Sequence, residues 1–403
     1  MNTQPPILIV HNDYQQAGGE RAAVKAQIDL LRARGHSVHL FWRDNAVIDE
    51  YRSLDKALFF PRTIFNSAIY REIRALVERE HIAVAHIHNV FPLISPAVYR
   101  ALHDAGVPIV QTIHNFRFLC PNALFFTHGR ICERCAGGNT LHAVRLRCYR
   151  DSHILSGLYA AAIGLHRRFG TFRLIDRAIA LTEFVAQKLV AYDVLPAERM
   201  TVLGNFLPDH LPPAYDGPRE PYVLFMGRLV AEKDPALAIE ALAGLPEVKL
   251  KVMGSGPLES SLRAEVTRRG MQHVEFLGYV DGERKWDLVR RATALLAPSR
   301  WYENFPISLL EAMAMGTPAI APQLGSMPYL IEHERTGLLT PPGDMLALRE
   351  AVKRLRANPA FAAELGRAAA KTVWASYSSA AHYQGLHAIY RRVTKSGVYP
   401  AAD

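Results

Sequence analysis

Two short runs in the second half of the chain place charged side chains next to apolar segments. In MGRLVAEKD, Arg228 and Lys233 follow the apolar run Tyr222–Met226 and lie five residues apart. An arginine fork binds phosphate oxygens in a planar geometry, and a lysine adds a compact positive charge. The pair is therefore suited to stabilise the negative charge that grows on a departing diphosphate. A solvated basic turn would carry the same residues, so this run alone does not decide the chemistry.

The run SRWYENFPISLLEAMAMGTPAI carries two glutamates that could bind hydroxyl groups. Glu303 lies in a predicted loop after an apolar strand, and Glu311 lies eight residues further, in the predicted helix that starts near Pro306. Loop amides and a helix N-terminus can bind anions, and the two carboxylates suit hydroxyls of a sugar and a ribose. Such a glutamate pair is common by chance, but with the Arg–Lys turn in the same predicted domain it indicates a nucleotide-sugar site. We expect all four charged side chains to point into a solvent-filled cleft.

Short apolar, β-branched runs alternate with helical patterns along the chain, which predicts repeated βα units and parallel sheets. A proline-rich segment at about 206–220 has neither periodicity and predicts a linker. The 403 residues therefore predict an α/β fold with two Rossmann-like, doubly wound parallel-sheet domains, 1–205 and 220–375. Because such sheets bind ligands at the carboxyl ends of their strands, we expect the domains to face each other across one cleft.

Five segments of the second domain, in this order, resemble the family 4 glycosyltransferases of the GT-B fold: GRLVAEK, MGSGPLESSL, FLGYV, APSRWYENFPISLLEAMAMGTPAI and TGLLTPPGD. The likeness reaches the first domain through Gly18 and Gly19 and through the run IHN at 113–115. It implies retaining transfer of a hexosyl-type sugar from a nucleotide-diphosphate sugar, such as a UDP- or GDP-sugar. The acceptor would be a glycan or a lipid-linked precursor of a cell-surface polysaccharide. The last helix, about 379–403, would return to the N-terminal, acceptor-side domain.

The resemblance also implies roles for residues of the second domain. Arg228 and Lys233 would bind the diphosphate, and Glu311 would bind the ribose. Glu303 would hold the donor sugar together with the loop amides of Asn304 and Phe305. The base would contact the backbone at Gly278, Tyr279 and Val280.

In the first domain, the resemblance implies that Gly19 and His114 face the diphosphate and the sugar. A histidine at a strand end is often simply a hydrogen-bonded structural residue. The position of His114 at the carboxyl end of a predicted parallel strand favours contact with a sugar hydroxyl or with charge in the transition state.

Two departures from the family pattern bear on which sugar is bound. Pro306 removes an amide donor, and Tyr329 stands where the family has a glutamate.

All four cysteines fall in a segment of about 116–150 that would be inserted into the first domain. Their pattern is Cys120-x11-Cys132-x2-Cys135-x12-Cys148. In a reducing compartment such a set is compatible with a structural four-thiolate zinc site. Free, buried or redox-labile thiols are equally compatible with the loose outer spacings.

Two basic, amphipathic stretches lie in the first domain, at 57–80 and 145–170. Arginines mixed with Phe, Tyr and Leu can lie on anionic lipid, which would make the protein a peripheral membrane protein at the inner face. Core-facing helices with exposed arginines are the commoner explanation of the same pattern.

Several classes of protein are disfavoured. The chain has no D-x-D metal clamp, which favours metal-independent transfer, and no G-K-[ST] phosphate loop. Gly254-Ser255-Gly256 lacks the third glycine of a dinucleotide fingerprint. The net charge of +9 allows a nucleic-acid binder, but no aromatic–basic or helix-turn-helix signal supports one. A non-catalytic nucleotide-sugar-binding protein is the remaining alternative. With neither a signal peptide nor a membrane-spanning apolar run, we expect a cytoplasmic location.

Overall fold

The computed structural model describes residues 4–15 and 18–394 and divides into two compact units. Of the described residues, those up to 127, 132–206 and 379–394 form the first unit, and 128–131 and 207–378 form the second. The chain thus leaves the first unit at Phe206 and returns to it at Ser379. Each unit contains one six-stranded parallel sheet, so the predicted α/β fold class is confirmed.

The first unit is built on a parallel sheet with the order β2-β1-β3-β4-β7-β8. Its inner strand β1 is buried continuously from Ile7 to Asp13, as expected when both faces of a parallel sheet are covered. A short two-stranded hairpin, β5–β6, lies outside this sheet in the cysteine-containing segment; β5 falls in the first unit, and β6 falls in residues 128–131, which are assigned to the second. The strands are β1 (Gln4–Asp13), β2 (His36–Asp44), β3 (Val84–Asn89), β4 (Ile109–Ile113), β5 (Phe126–Thr127), β6 (Arg130–Ile131), β7 (Arg177–Ala180) and β8 (Met200–Val202).

Helices connect successive strands of this sheet. Most have a side-chain cap or an apolar stripe at three- and four-residue spacing, as in α3, where Asn66 caps the amino end and Ile69, Ile73 and Val77 are buried. The helices are α1 (Gly19–Ala33), α2 (Ser53–Ile64), α3 (Ser67–Arg79), α4 (Ala97–Asp104), α5 (Leu141–Arg145), α6 (His153–Arg168) and α7 (Glu183–Ala191).

The second unit has the strand order β11-β10-β9-β12-β13-β14, the order of a Rossmann dinucleotide fold. The strands are β9 (Glu220–Met226), β10 (Lys249–Met253), β11 (Val274–Gly278), β12 (Ala292–Leu296), β13 (Ala319–Pro322) and β14 (Gly337–Thr340). The helices are α8 (Pro235–Leu242), α9 (Glu259–Arg268), α10 (Gly282–Arg291), α11 (Ile307–Ala314), α12 (Met327–Leu330), α13 (Met345–Ala357) and α14 (Pro359–Ser376). Periodicity predicts neither β14 nor α14, because β14 is a four-residue edge strand and the alanine-rich α14 has little hydrophobic contrast.

The last helix, α15 (Ser379–Val393), packs on the first unit. Leu386, Ile389 and Tyr390 share a core with Ile7 of β1 and Val24 of α1. Burial of these side chains anchors the returning segment, since each large apolar side chain buried contributes about 1.5–3 kcal/mol. Within the described ranges, none of the helices is both long and apolar enough to cross a membrane.

Candidate functional site

The second sheet reverses its strand order between β9 and β12. In open α/β sheets, ligands bind at such a switch point, outside the carboxyl ends of the two strands. Arg228 and Lys233 lie in the turn that follows β9, and Glu303 lies in the loop that follows β12. The two runs singled out in the sequence therefore meet at one edge of the same sheet.

Lys233 and Glu303 form an ion pair at this edge. The Nζ of Lys233 donates to Oε1 of Glu303 at 2.6 Å, and Oγ of Ser299 donates to the same oxygen at 2.6 Å. Only 5% of the Glu303 side chain and 20% of the Lys233 side chain are exposed. The expectation that both point freely into solvent is wrong, because the two side chains pair with each other as the loops pack together.

The electrostatic state of Glu303 follows from this pairing. Burial alone would raise the pKa of its carboxyl, since a carboxylate is poorly solvated inside a protein. The charge of Lys233 and the hydrogen bonds from Lys233 and Ser299 outweigh burial and hold the pKa below its ordinary value. Glu303 is therefore an anion that can accept hydrogen bonds from hydroxyl groups.

Arg228 is the exposed cation of the site. Its side chain is 47% exposed, and its Nη2 lies 3.6 Å from Oε1 of Glu232. The turn that presents it is tied to the β12 loop by two contacts. The backbone N–H of Arg300 donates to the carbonyl of Glu232 at 3.0 Å, and its Nε lies 2.8 Å from Oδ2 of Asp234. Arg228 is thus held on a fixed turn with its guanidinium open to a ligand.

Close backbone packing behind this turn explains the glycines of MGSGPLESSL. A Cβ on Gly254, whose φ is +134°, would lie 1.9 Å from the carbonyl oxygen of Gly227, and a Cβ on Gly256 would lie 2.5 Å from that of Leu229. The Gly-Ser-Gly run therefore serves to let the β10 loop pack against the basic turn.

We expect Gly254→Ala to destabilise the fold by roughly 3 kcal/mol, because it adds a backbone clash to an unfavourable φ. Gly270→Ala is the matched control: its φ is +63° with no neighbouring atom within 4 Å, so only the left-handed conformation is penalised, at about 1–2 kcal/mol. Urea unfolding of both variants measures the difference. Equal losses would contradict the packing role.

Asn304 carries the least satisfied polar group of this loop. Its side chain is buried, yet neither Oδ1 nor Nδ2 has a hydrogen-bond partner among residues 4–15 and 18–394. Leaving a buried amide unpaired typically costs about 1–3 kcal/mol, so such a group is expected to bind something. The neighbouring Phe305 packs on Tyr377 with ring centroids 5.4 Å apart, and Pro306 precedes the first residue of α11. The resemblance implied only the backbone amide of Asn304; the side chain was missed.

Glu311 lies in α11, and its partner is a residue that the sequence did not indicate. Oε1 of Glu311 accepts from Nζ of Lys285 in α10 at 2.7 Å, and both side chains are largely buried. Burial raises the pKa of the Glu311 carboxyl, and the charge of Lys285 only partly offsets this. Glu311 is therefore also not directed freely into solvent. In the sequence, Lys285 lies in the helical stretch that follows Gly278-Tyr279-Val280, and this position could have indicated the pair.

The segment implied to bind the base joins β11 to α10. Gly278 ends β11 with φ of +67°, and its carbonyl accepts from the N–H of Gly254 at 2.7 Å. The side chain of Tyr279 is largely exposed, whereas that of Val280 is buried. The backbone after β11 is thus anchored to the glycine loop and leads directly into the helix that carries Lys285.

In the first unit, the order reverses between β1 and β3, and the implied residues lie near this second switch point. Gly18 is the N-cap of α1 in an extended conformation, and Gly19 is its first residue. The open amino end of α1 therefore lies after β1, where backbone N–H groups can bind an anion.

His114 follows β4 and is half-buried in a row of three histidines. Its Nε2 lies 2.9 Å from Nδ1 of His88, whose ring stacks on that of His86 at 4.4 Å. Burial, followed by the charge of His11, lowers the pKa of His114 to about 3. The ring is therefore neutral at physiological pH, and it can exchange hydrogen bonds with a sugar hydroxyl but carries no positive charge.

A buried polar cluster beside α1 was missed in the sequence. The ring nitrogens of His11 lie 3.8 Å from Asp13 and 3.9 Å from Glu20, and they have no hydrogen-bond partner within the described ranges. Nδ2 of Asn115 donates to Glu20 at 3.3 Å. Burial raises the pKa of Glu20 to about 8. In the sequence, the pattern that could have indicated this cluster is the polar triplet HND, residues 11–13, at the end of an otherwise apolar strand.

The four cysteines are free thiols that line one small cavity of the first unit. The cavity lies between β5 and α5, and His142 borders it as well. Burial raises the pKa of Cys120 and Cys148, and it raises that of Cys135 to about 12. In the part of the chain that the structure describes, no group of three or more His, Cys, Asp or Glu side chains is arranged to hold a metal as it stands. A zinc ion would require the thiols to draw together.

Comparison with known proteins agrees with the two units. Residues 17–210 match the model of Glycosyltransferase Family 4, and residues 216–372 match that of glycosyl transferases group 1. Alpha-D-kanosaminyltransferase of Streptomyces kanamyceticus is 30% identical over 307 residues, which are 72% of this chain and 71% of that protein. The chain is a family 4 glycosyltransferase. It spans less than half the length of several other curated relatives that it matches.

Solved structures show that this glycosyltransferase has the GT-B fold. Sucrose-phosphate synthase from Thermosynechococcus elongatus superimposes with a TM-score of 0.71 at 20% identity, over 96% of this chain and 99% of that one. HepE of Anabaena, solved in complex with UDP and glucose, gives a TM-score of 0.66 at 18% identity, over 95% of this chain and 98% of that one.

Proposed function

We propose that this glycosyltransferase transfers a hexosyl-type sugar from a nucleotide-diphosphate donor, with retention of configuration and without a catalytic metal. The observation that carries the proposal is the edge of the second sheet, where Arg228, the Lys233–Glu303 pair and the unpaired amide of Asn304 lie on adjoining loops. This edge offers cations for a diphosphate and hydrogen-bonding groups for a sugar. A UDP- or GDP-sugar is the donor class, in keeping with the UDP bound by HepE.

In the proposed reaction, the acceptor hydroxyl oxygen bonds to the anomeric carbon while the bond from that carbon to the donor phosphate breaks. The acceptor proton passes to the leaving phosphate oxygen on the same face, which accounts for retention. Arg228 and Lys233 stabilise the charge that develops on the diphosphate, and preorganised groups of this kind usually provide the largest catalytic term. His114, being neutral, would orient a sugar hydroxyl. The acceptor is a glycan or lipid-linked precursor.

A donor screen tests the assignment. We expect UDP- or GDP-sugars to raise the melting temperature in a concentration-dependent way, because a ligand that binds only the folded state stabilises it. Hydrolysis or transfer of the same sugar should then be detectable. Stabilisation without any turnover would favour the non-catalytic nucleotide-sugar-binding alternative, and no stabilisation by any nucleotide sugar would contradict the donor site.

Metal independence is tested on the same assay. The sequence lacks a D-x-D clamp, and the Arg228/Lys233 pair supplies positive charge in place of a metal. We expect turnover to survive EDTA as long as the protein stays folded, as monitored by circular dichroism. Rapid loss of activity in folded protein, restored by Mg²⁺ or Mn²⁺, would contradict this expectation.

We also propose that Cys120, Cys132, Cys135 and Cys148 bind one structural zinc ion. Support comes from the common cavity that the four thiols line and from the C-x2-C spacing within it. Zinc would tie Cys120, Cys132 and Cys135 to Cys148, which follows α5, and release the protons that burial otherwise retains on the thiols.

Elemental analysis should then find about one zinc per chain in protein purified without added metal. Replacement by Co²⁺ should give the absorption bands of a tetrahedral thiolate site, and Cys135→Ser should weaken them. Protein that contains no zinc, keeps the same melting temperature with a chelator and gives no cobalt spectrum would rule the site out.

A further inference from the structure

A chain of hydrogen bonds leads from His114 into the core of the first unit. Nε2 of His114 lies 2.9 Å from Nδ1 of His88, and Nε2 of His88 lies 3.4 Å from the amide nitrogen of Gln27 in α1. The same nitrogen of Gln27 lies 3.0 Å from Nδ1 of His86. Gln27, His86 and His88 are all buried, so these contacts are shielded from water.

The inner end of this chain determines which nitrogen of His86 carries a proton. Nε2 of His86 lies 2.7 Å from the hydroxyl of Thr112, and Nδ1 lies 2.7 Å from the hydroxyl of Tyr390 in α15. The amide nitrogen of Gln27 can only donate, so Nδ1 of His86 accepts from it. The proton of a neutral His86 is therefore on Nε2, which donates to Thr112.

The same reasoning gives the tautomer of His88. Burial lowers the pKa of His86 and of His88 well below the ordinary value, so each ring is neutral and carries one proton. The amide of Gln27 has a second hydrogen for Nε2 of His88, and although this contact is long, an N–H at Nε2 would oppose it. The proton of His88 is therefore on Nδ1, which donates to Nε2 of His114.

This arrangement leaves His114 with one nitrogen for a ligand. Among the described residues, the hydrogen bond of His114 is the one to His88, and it occupies Nε2. Since the ring is neutral and its Nε2 accepts, its single proton is on Nδ1. An N–H at Nδ1 donates to a hydroxyl oxygen, whereas a bare nitrogen at the same place would accept from the hydroxyl instead. The tautomer of His114 thus decides the direction of its hydrogen bond to a ligand.

We infer that Gln27 is a positioning residue that fixes the tautomer of His114 through His88, so that Nδ1–H of His114 donates to a hydroxyl oxygen of the bound sugar. The contact with a sugar rests on the proposed function, whereas the tautomer is a property of the protein without ligand. Gln27 acts from α1, two side chains away from that hydroxyl. A partner at one ring nitrogen sets the tautomer of a histidine because the two nitrogens share a single proton.

Nuclear magnetic resonance of protein labelled with ¹⁵N-histidine tests the tautomer at neutral pH without substrate. Long-range ¹H–¹⁵N correlations should show a protonated Nδ1 and an unprotonated Nε2 for His114, assigned by their disappearance in His114→Gln. In Gln27→Met, which removes both donors and keeps the side-chain length, they should shift toward the opposite tautomer or a mixture. A parent His114 protonated on Nε2, or a folded Gln27→Met that keeps the parent tautomer, would overturn the inference.

A double-variant cycle tests the route through His88. Gln27→Met should lower kcat/KM for transfer by roughly tenfold, the effect of losing one neutral buried hydrogen bond. His88→Phe should lower kcat/KM to a similar extent and should likewise release the tautomer of His114. Adding Gln27→Met to His88→Phe should have little further effect, because the route is already broken. Losses that simply multiply would assign Gln27 a structural role and overturn the inference.

Tyr383→Phe is the matched control, because it removes the 3.0 Å hydrogen bond between Tyr383 and buried His36 elsewhere in the same unit. It should leave the tautomer of His114 and kcat/KM unchanged even where it lowers the melting temperature. A control that changes the tautomer as well would mean a general loosening of the unit and would overturn the inference. Parent protein without transfer activity would contradict the proposed function, and the spectrum of His114 would still decide the tautomer.

Discussion

Arg228→Ala should lower turnover by roughly 10²–10³-fold while the protein stays folded. Among the described residues, the contact recorded for the exposed guanidinium of Arg228 is a long one, 3.6 Å to the largely buried Glu232, so its removal should cost less stability than breaking the 2.6 Å pair of Lys233 and Glu303. The proposed contribution is to the charge that grows on the leaving diphosphate, and loss of one preorganised group of this kind typically costs that factor. Steady-state kinetics, with the donor identified by thermal shift, measures the turnover of the variant against that of the parent.

Lys233→Ala should reduce turnover to a similar extent and also destabilise the fold. It leaves the carboxylate of Glu303 buried without its cation, and breaking a buried pair from one side typically costs about 3–5 kcal/mol. The double variant Lys233→Ala/Glu303→Gln removes the stranded charge. It should therefore recover most of the melting temperature but none of the turnover.

The comparison of these variants identifies the site. Near-parent turnover in folded Arg228→Ala and in the stabilised double variant would mean that the donor diphosphate binds elsewhere. Loss of turnover that simply follows melting temperature across the series would assign these residues a structural role only. Glu303→Gln alone is expected to lower turnover and relax the choice of donor sugar, because it weakens an acceptor of sugar hydroxyls while Lys233 remains.

Glu311→Gln should raise the Michaelis constant for the donor by about tenfold or more and change turnover little. A contact to ribose is made before and during the reaction alike, so its loss weakens binding without affecting the chemical step. A hydrogen bond to a charged, largely buried acceptor is typically worth about 1.5–3 kcal/mol, which sets the size of the effect.

Two further variants sharpen this prediction. Lys285→Met should also weaken donor binding, because the pKa of Glu311 would then rise without its neighbouring charge and the carboxyl would protonate more readily. Glu240→Gln is the matched control, since Glu240 is likewise paired, with Arg269, but on the outer surface of the second unit. A Glu311→Gln variant with an unchanged Michaelis constant and reduced turnover would place Glu311 in the chemical step instead.

The sequence alone determined the fold class and the edge of the sheet where the charged residues lie. Alternating apolar runs and helical patterns predicted parallel βα units, and the position of Arg228 after β9 and of Glu303 after β12 follows from that regularity. In a parallel sheet, all carboxyl ends share one edge, so residues far apart in sequence can be placed together without any contact being known. The family resemblance rested on motifs in the same loops.

Only the tertiary structure decided how these residues are paired and what is buried. Lys233 with Glu303, Lys285 with Glu311 and His88 with His114 are contacts between separate loops or helices, and periodicity describes one element at a time. The unpaired amide of Asn304 is equally invisible in the sequence, because satisfaction of a buried group depends on every neighbour around it. The same limit applies to α2, whose amphipathic pattern fits a buried or an exposed helix; packing against the rest of the unit left it exposed.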